Sequence, residues 1–506
     1  MNVLFLLTTV GCKVHAHHAT GFLSAVLKEA GHQTDYLELD RLDYQLLKDK
    51  IEDFQPQVMA VSSVGQQMPY VTKLINYAKM TFPYLKTVLG GTHPMLKRDC
   101  IHEIEGLDAL CIGDGELPLL RYVEAIEGDS ELDDHIPNMR FRMPGDIIID
   151  TPLSYAVTEE DLAVLPMQNR LLFPYFRDVR KGERLLFRPR VLWGRGCPYE
   201  CTYCSVPSLK KILREPIKSS GAKWVRYPPA ERCIEEIEYL LERWNFDTYI
   251  IDDDVLTTHK RWILDLADKY PEHLKAKVKF EANLRVESID KECMVALKEL
   301  GCSLLKFGLE NGNFSIRQKI LNRPIPDEKI VEVFEWARDV GIPTHTFNMV
   351  GVETETKESV WETIKLNRKI RPERIQVTIF YPYFGTPMGD EARAKAKIVK
   401  EQDSYYAGAS VQIDGLSTSQ IEFYTRWFKF LVYIAYSPGL AWEAFKGALK
   451  AEARNVLPQS LYWWYSKLRY GVVTKELQVE TMGADGEHPV IDMQDIEDME
   501  QDQVKV

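Results

Sequence analysis

Cys197, Cys201 and Cys204 lie in the run Gly194-Arg195-Gly196-Cys197-Pro198-Tyr199-Glu200-Cys201-Thr202-Tyr203-Cys204. Three thiols this close together have the spacing of metal ligands. Iron–sulfur clusters are held by Cys thiolates, commonly four. A set of three leaves one iron open to a small molecule. Zinc is the rival, because paired Cys residues bind it readily. A zinc site wants a fourth Cys or His nearby, and Cys233, the next Cys downstream, has no partner at ligand spacing. Disulfides belong to secreted chains, and nothing in this sequence marks secretion.

Other polar groups gather at short turns. Upstream of the three Cys these are Ser62-Ser63, Gly90-Gly91-Thr92-His93-Pro94 and Gly113-Asp114-Gly115-Glu116. Glycine there lets a backbone approach a bulky flat ligand where a Cβ would clash. Downstream come Asp252-Asp253-Asp254, then Glu281, Asn283 and Arg285, then Gly308-Leu309-Glu310-Asn311-Gly312 with Arg317 and Arg323. Gly351-Val352-Glu353-Thr354-Glu355-Thr356 follows. An Asp triplet also suits an exposed turn or a helix cap, but this one follows an apolar run directly, so at least one Asp is expected to face a site.

The elements that must carry these turns alternate between strand and helix patterns. Over residues 1–128 the strand candidates are Val3–Thr8, Thr34–Leu39, Val58–Ser62, Thr87–Leu89 and Ala109–Ile112. Helical patterns at Gly21–Glu29, Tyr44–Phe54 and Tyr70–Thr81 separate them, which predicts a parallel α/β sheet. Sheets of this kind bind ligands at the carboxyl ends of their strands, where the turns fall; a nucleotide or flavin is an alternative ligand. Residues 129–185 carry Pro137, Pro144, Pro152 and Pro166 and read as a linker, with Leu171–Phe176 as an apolar anchor across both domains. Residues 186–400 hold six further strand candidates: Arg190–Trp193, Thr248–Ile251, Val278–Asn283, Leu304–Leu309, Thr344–Val350 and Ile375–Phe380. Barrel chemistry sits at the carboxyl ends of such strands.

Residues 401–480 turn helical and aromatic, with Phe423, Tyr424, Trp427, Phe428 and Phe430 among the rings. Such a stripe suits a core; its alternatives are an apolar lid or peripheral membrane contact. Residues 481–506 are acidic and read as a solvated tail. The formal net charge of −12 argues against a nucleic-acid partner. The apolar run Val3–Leu7 is too short to span a membrane, and the reading is of a cytoplasmic protein.

The triple-Cys run, with Tyr203 before the third Cys, resembles the CxxxCxxC signature of radical S-adenosylmethionine enzymes. The upstream α/β unit, with its Gly-Gly-Thr-His-Pro turn, resembles the cobalamin-binding domain of the cobalamin-dependent members. The resemblance covers about residues 1–400. It implies a Rossmann-like cobalamin-binding domain, a partial (β/α)6 barrel and a helical C-terminal region. It implies a 4Fe–4S cluster on Cys197, Cys201 and Cys204, with S-adenosylmethionine on the open iron and cobalamin beside it. Tyr203, Asp252, Asp253, Asn283, Glu310, Arg323 and Gly351 would surround S-adenosylmethionine. Ser62, Ser63, Gly90, Gly91, His93, Gly113, Gly115 and Glu116 would surround cobalamin.

Three departures stand out. Asn311 replaces the Ser of the family's GLESG run. The Gly351 run lacks the Pro and second Gly of GLPGET. Ala16 stands where a DxHxxG motif has Asp, so His18 is not expected on cobalt. The implied activity is methyl transfer to an unactivated carbon. Ring formation or rearrangement is an alternative, because the layout also resembles the anaerobic porphyrin cyclases. A non-enzymatic cobalamin carrier or sensor is another. A methylthiotransferase would want an N-terminal three-Cys set and a basic tail. The implied partners are a reductant such as flavodoxin or ferredoxin and a small-molecule, lipid or peptide substrate.

Overall fold

The computed structural model describes residues 1–10, 17–180, 183–185, 187–400 and 408–456. Cys12, Ala16, the aromatic run Tyr462–Tyr465 and the acidic stretch 481–506 lie outside the described residues. The first sheet contains β1 (Asn2–Thr8), β2 (Gln33–Leu39), β3 (Val58–Ser62), β4 (Lys86–Gly90), β5 (Ala109–Cys111), β6 (Met139–Met143) and β7 (Ile147–Asp150). Its order is β2-β1-β3-β4-β5-β6-β7. The first five strands are parallel, and β6 and β7 add an antiparallel hairpin at one edge.

β1 shows how this sheet is covered on both faces. Val3, Phe5 and Leu7 pack on one face, with Leu27, Leu119 and Val123 of helices His18–Glu29 and Glu116–Glu127. Leu4 and Leu6 pack on the other, with Leu47 and Ile51 of helix Tyr44–Phe54 and Val71 and Leu74 of helix Met68–Thr81. A strand buried on both faces reads as a continuous apolar run, as Asn2–Thr8 does.

The β6–β7 hairpin carries the first sheet past residue 128, into the stretch read as linker. Its turn is Pro144-Gly145-Asp146, with positive φ at Gly145 (81°) and Asp146 (60°). Two left-handed turn residues are what a tight hairpin requires. The anchor in the rest of that stretch joins the two halves. Leu172, Phe173 and Phe176 are buried in the core shared by both sheets. The Phe173 ring meets Tyr36 edge-on at 5.1 Å, and Phe176 meets Trp244 at 4.9 Å.

The second sheet runs β8 (Arg190–Val191), β9 (Thr248–Ile251), β10 (Lys279–Leu284), β11 (Cys302–Glu310), β12 (Thr344–Val350) and β13 (Arg374–Ile379). All six are parallel and lie side by side in chain order, as an open partial barrel. Helices Ala230–Arg243, Lys260–Lys269, Lys291–Glu299, Asp327–Val340 and Lys357–Ile370 follow its strands.

Helix Thr418–Tyr433 packs against β12 and β13 and pairs with helix Pro438–Val456. Its start is fixed by a capping box between Ser417 and Gln420. Ile421, Tyr424, Phe428 and Val432 form its buried face, so half of the aromatic stripe is core. Phe423 and Trp442 lie on the exposed side. No helix among the described residues is long and apolar enough to cross a membrane.

Candidate active site

The three Cys occupy the loop that leaves β8. Trp193 N–H donates to Asp253 Oδ1 at 2.8 Å, which fixes the start of this loop. The next turns need glycine. A Cβ on Gly194 would lie 2.4 Å from the Tyr227 ring. Gly196 has φ of 86°, and a Cβ there would lie 2.1 Å from the Trp224 carbonyl oxygen. Trp224 Nε1 donates to the Cys197 carbonyl at 2.7 Å. Cys197 and Cys201 are buried and Cys204 is half-buried. Burial pushes the Cys197 thiol up to about 11 and the Cys204 thiol up to about 12. Thiolates in such a place need positive charge beside them.

Arg285, just after β10, supplies it. Its Nη1 lies 2.7 Å from Cys201 Sγ, its guanidinium stacks 3.8 Å from the Tyr199 ring centroid, and Glu287 pairs its other nitrogens. Three thiols on one short buried loop with a guanidinium at one sulfur are a donor set that fits an iron–sulfur cluster. Among the described residues no three His, Cys, Asp or Glu side chains are close-set enough to hold a single metal ion.

The three Asp residues after β9 part company. Asp252 accepts from Arg190 and from His18 Nε2 at 3.1 Å, reaching the first domain. Burial opposes its charge, but those donors prevail and hold the carboxyl down at about 2. Asp253 is buried under the Cys loop, and burial raises it to about 8. Asp254 alone opens to solvent, while crowding by protein holds its carboxyl above the ordinary value. Its charge is felt at Cys197 and Cys204. Asn283 Nδ2 donates to the Asp253 carbonyl at 3.3 Å.

Glu310 ends β11 with φ of 66°, a left-handed conformation uncommon outside glycine. Arg323, 2% exposed, donates to the Tyr203 hydroxyl at 3.0 Å, to Glu310 Oε1 at 3.2 Å and to the Gly308 carbonyl at 2.7 Å. Arg323 thus joins the Cys loop to the β11 turn. Arg317 is fully buried and bonds the carbonyls of Asn311 and Ile325, so it braces the following loop. Gly351 lies at the end of β12, where its N–H donates to Glu355 Oε2 at 2.7 Å.

The carboxyl ends of β3 and β4 bring Ser62, Ser63, Gly90, Gly91 and His93 together. Gly91, with φ of 96°, turns hard against Ser63, whose backbone oxygen and nitrogen a Cβ would meet at 2.6 and 2.7 Å. A Cβ on Gly90 would meet nothing nearer than 3.9 Å, so the floor there is open. That open glycine floor, beside a half-buried Ser62, fits a bulky planar ligand. His93 lies between this turn and Phe384 of the barrel, with ring centroids 6.3 Å apart. Burial pushes His93 down to about 4, so the ring is neutral at pH 7. His18 faces elsewhere: its Nδ1 lies 3.3 Å from Gln168 Oε1, opposite its Asp252 contact.

Gly113-Asp114-Gly115-Glu116 belongs to the seam between the domains. Asp114 accepts from Arg195 at 2.8 Å, from Arg226 at 2.5 Å and from the Val157 N–H at 2.9 Å. Glu116 accepts from Arg195 at 2.6 Å. Both Glu116 and Arg226 are buried. The glycines set this loop close to its neighbours: a Cβ on Gly113 would lie 3.0 Å from Leu213, and one on Gly115 would lie 3.3 Å from Leu23.

Sequence reasoning singled out neither Asp254 within its triplet nor the partners of Arg195 and His18. The Arg195 signal was present as a cation between two glycines just before the first Cys. Its carboxylate partners stand far upstream, and only the fold brings them together.

Residues 4–123 match the B12 binding domain family and residues 191–366 the Radical SAM superfamily. An anaerobic magnesium-protoporphyrin IX monomethyl ester cyclase from Cereibacter sphaeroides is 24% identical over 392 residues, 74% of this chain and 60% of its own length. An uncharacterised methyltransferase from Pyrococcus horikoshii is 25% identical over 345 residues, 68% of this chain and 71% of its own. The fold is similar to the radical S-adenosylmethionine methyltransferase TsrM from Kitasatospora setae, a structure with cobalamin and a 4Fe–4S cluster bound. The TM-score is 0.60 at 16% identity, over 83% of this chain and 80% of that one. With both domains in this order and this architecture, the chain belongs to the cobalamin-dependent radical S-adenosylmethionine enzymes.

Proposed function

We propose that the protein transfers a methyl group from S-adenosylmethionine to an unactivated carbon of a substrate. The observation that carries this reading is the seam itself. The glycine-lined strand ends of the first sheet and the Cys loop of the second meet there, tied by Asp114, Glu116 and Arg195. When bound, the cluster supplies the electron that splits the sulfonium, and cobalamin carries the methyl group.

The chain's own residues then have separable tasks. Cys197, Cys201 and Cys204 hold the cluster, and Arg285 offsets the charge on Cys201. Asp254 receives the ammonium of S-adenosylmethionine, because its carboxylate opens to solvent near the Cys loop. Asp252 and Asp253 position it by tying the end of β9 to Arg190 of β8 and to the Trp193 N–H. Glu310 takes a ribose hydroxyl, with Tyr203 and Arg323 setting its orientation. Ser62, Gly90, Gly91 and neutral His93 line the corrinoid floor. A flavodoxin or ferredoxin is the proposed electron donor, and a reducing cytoplasm suits the cluster.

The test is anaerobic reconstitution with iron, sulfide, hydroxocobalamin and a reductant. The protein is then incubated with cell extract and methyl-deuterated S-adenosylmethionine. Methyl transfer gives 5′-deoxyadenosine, S-adenosylhomocysteine and an extract compound carrying the deuterated methyl group. Radical ring formation is the second reading, favoured by the similarity to the Cereibacter cyclase. It gives 5′-deoxyadenosine and a product without the label.

A further inference from the structure

The loop that holds Cys197 shares one set of charges with the loop that follows β5, whose last residue, Cys111, stands beside the Gly90 floor. Arg195, two residues before Cys197, spans Asp114 and Glu116 with its two terminal nitrogens. Its guanidinium also lies 5.7 Å from the Phe22 ring centroid, in the first turns of helix His18–Glu29. Arg226 completes the set from the opposite side of Asp114. The Arg195 backbone is paired in both directions with Arg226, at 2.9 and 3.1 Å. Gly196 is pinned under the Trp224 carbonyl, and Trp224 holds the Cys197 carbonyl.

The line from Asp114 to the first cluster ligand is therefore short and fully bonded. The side chains of Arg195, Asp114, Glu116 and Arg226 are 15, 17, 7 and 5% exposed. Screening by water is weak at that depth, and removing one member leaves the others charged and buried.

We propose that Arg195 is a positioning residue that couples the two cofactor sites, so that filling one strengthens the other. The inference rests on the reading of the corrinoid floor given above. Its physical basis is shared order. A ligand that fixes the Gly113–Glu116 loop also fixes Asp114 and Glu116, and through Arg195 the approach to Cys197. The second ligand then meets an arrangement the first already favours, and binds more tightly for it. Such coupling is reciprocal: each cofactor changes the affinity of the other by the same factor. Two carboxylates on one guanidinium make the geometry specific to Arg, because Lys presents a single point charge.

The test measures hydroxocobalamin affinity by absorbance titration of the full chain, anaerobically, with the cluster reconstituted and without it. Wild type is expected to bind the corrinoid about tenfold tighter when the cluster is present, within the usual range of such couplings. R195M is expected to bring that ratio to near one, and R195K to leave it well below wild type. E116Q removes one of the two carboxylates and is expected to lower the ratio while the chain stays folded. The exposed pair Lys223–Glu159 serves as control: K223A is expected to leave the ratio unchanged. As a second readout, hydroxocobalamin is expected to slow chelator extraction of iron from wild type but not from R195M. A wild-type ratio of one, or a ratio unchanged in R195M and E116Q, overturns the inference alone. Failure of either form to bind hydroxocobalamin overturns the reading of the corrinoid floor and the inference with it.

Discussion

Arg285 Nη1 lies 2.7 Å from Cys201 Sγ, and this is the one cation that touches a thiol of the CxxxCxxC loop among the described contacts. A hydrogen bond from a cation to a cluster sulfur stabilises added electrons and raises the reduction potential. Arg285→Met is therefore expected to shift the cluster to a more negative potential and to lower its iron content after reconstitution. Arg285→Lys keeps the charge but loses the stack on Tyr199 and the fork to Glu287, so it should fall between. Redox titration followed by electron paramagnetic resonance gives the order; equal potentials in all three proteins would remove Arg285 from the site.

Asp254 and Asp253 should respond oppositely to neutralisation. Asp254 opens to solvent, so Asp254→Asn is expected to leave the fold intact and weaken S-adenosylmethionine binding by about tenfold to a hundredfold, the loss of a charged hydrogen bond. Asp253→Asn touches the buried bond to the Trp193 N–H. Because its carboxyl is raised to about 8 by burial, the neutral amide matches its state at pH 7, and thermal stability should change little. Calorimetric titration with S-adenosylmethionine, alongside melting curves of both variants, separates the two roles.

Much of the fold was legible because the first sheet is buried on both faces, which leaves apolar runs such as Asn2–Thr8 unmistakable. Val58–Ser62, Thr248–Ile251 and Thr344–Val350 fall where the pattern puts them. The hairpin Met139–Asp150 was missed although Pro144-Gly145-Asp146 is a turn signal and Met139–Met143 alternates apolar with Arg, because Ile147–Asp150 is short and exposed and the prolines around it read as linker. At the site, residue types were legible and partners were not. Glu116 reads as a ligand group beside glycine until Arg195 is seen against it. Arg323 reads as a residue beside S-adenosylmethionine, and its bonds to Tyr203, Glu310 and Gly308 appear only in the fold. Side-chain pairing across domains leaves no periodic trace in a single sequence.

Two departures from the family pattern answer each other. Asn311 Nδ2 donates to Glu355 Oε1 at 2.7 Å, and Glu355 Oε2 accepts from Gly351 N–H. Burial raises Glu355 to about 7 despite these donors. A carboxyl raised in the folded state contributes most below its unfolded value of 4.5, and that contribution is lost as pH rises through about 7. The change amounts to roughly 3 kcal/mol. Wild type should therefore lose stability relative to Glu355→Gln between pH 4.5 and 8, read as the difference in thermal midpoints. Asn311→Ser, which restores the family residue, is too short to reach Glu355 and should cost about 1–3 kcal/mol by leaving a buried acceptor short of a donor.

The His18–Asp252 contact joins the start of helix His18–Glu29 to the end of β9, and its pH dependence has the opposite sign. Burial disfavours the Asp252 charge, but His18 and Arg190 hold the carboxyl at about 2, below the ordinary 3.8. A depressed carboxyl contributes above its unfolded value and loses that contribution as pH falls toward the folded one. The link between the domains should thus hold at pH 5 and weaken from about pH 4 toward pH 2, by roughly 2 kcal/mol in all. Asp252→Asn removes the charge but keeps one acceptor for Arg190, so it should loosen the seam already at pH 7. Hydrogen exchange of the amides in Thr20–Leu23, corrected for intrinsic rates, reports that opening locally. Exchange about tenfold faster in Asp252→Asn than in wild type at pH 7, with the difference shrinking as both are acidified, is the expected pattern. If the variant exchanges like wild type at neutral pH, the contact does not hold the domains, and the Arg195 set and the Leu172–Phe176 anchor bear that task.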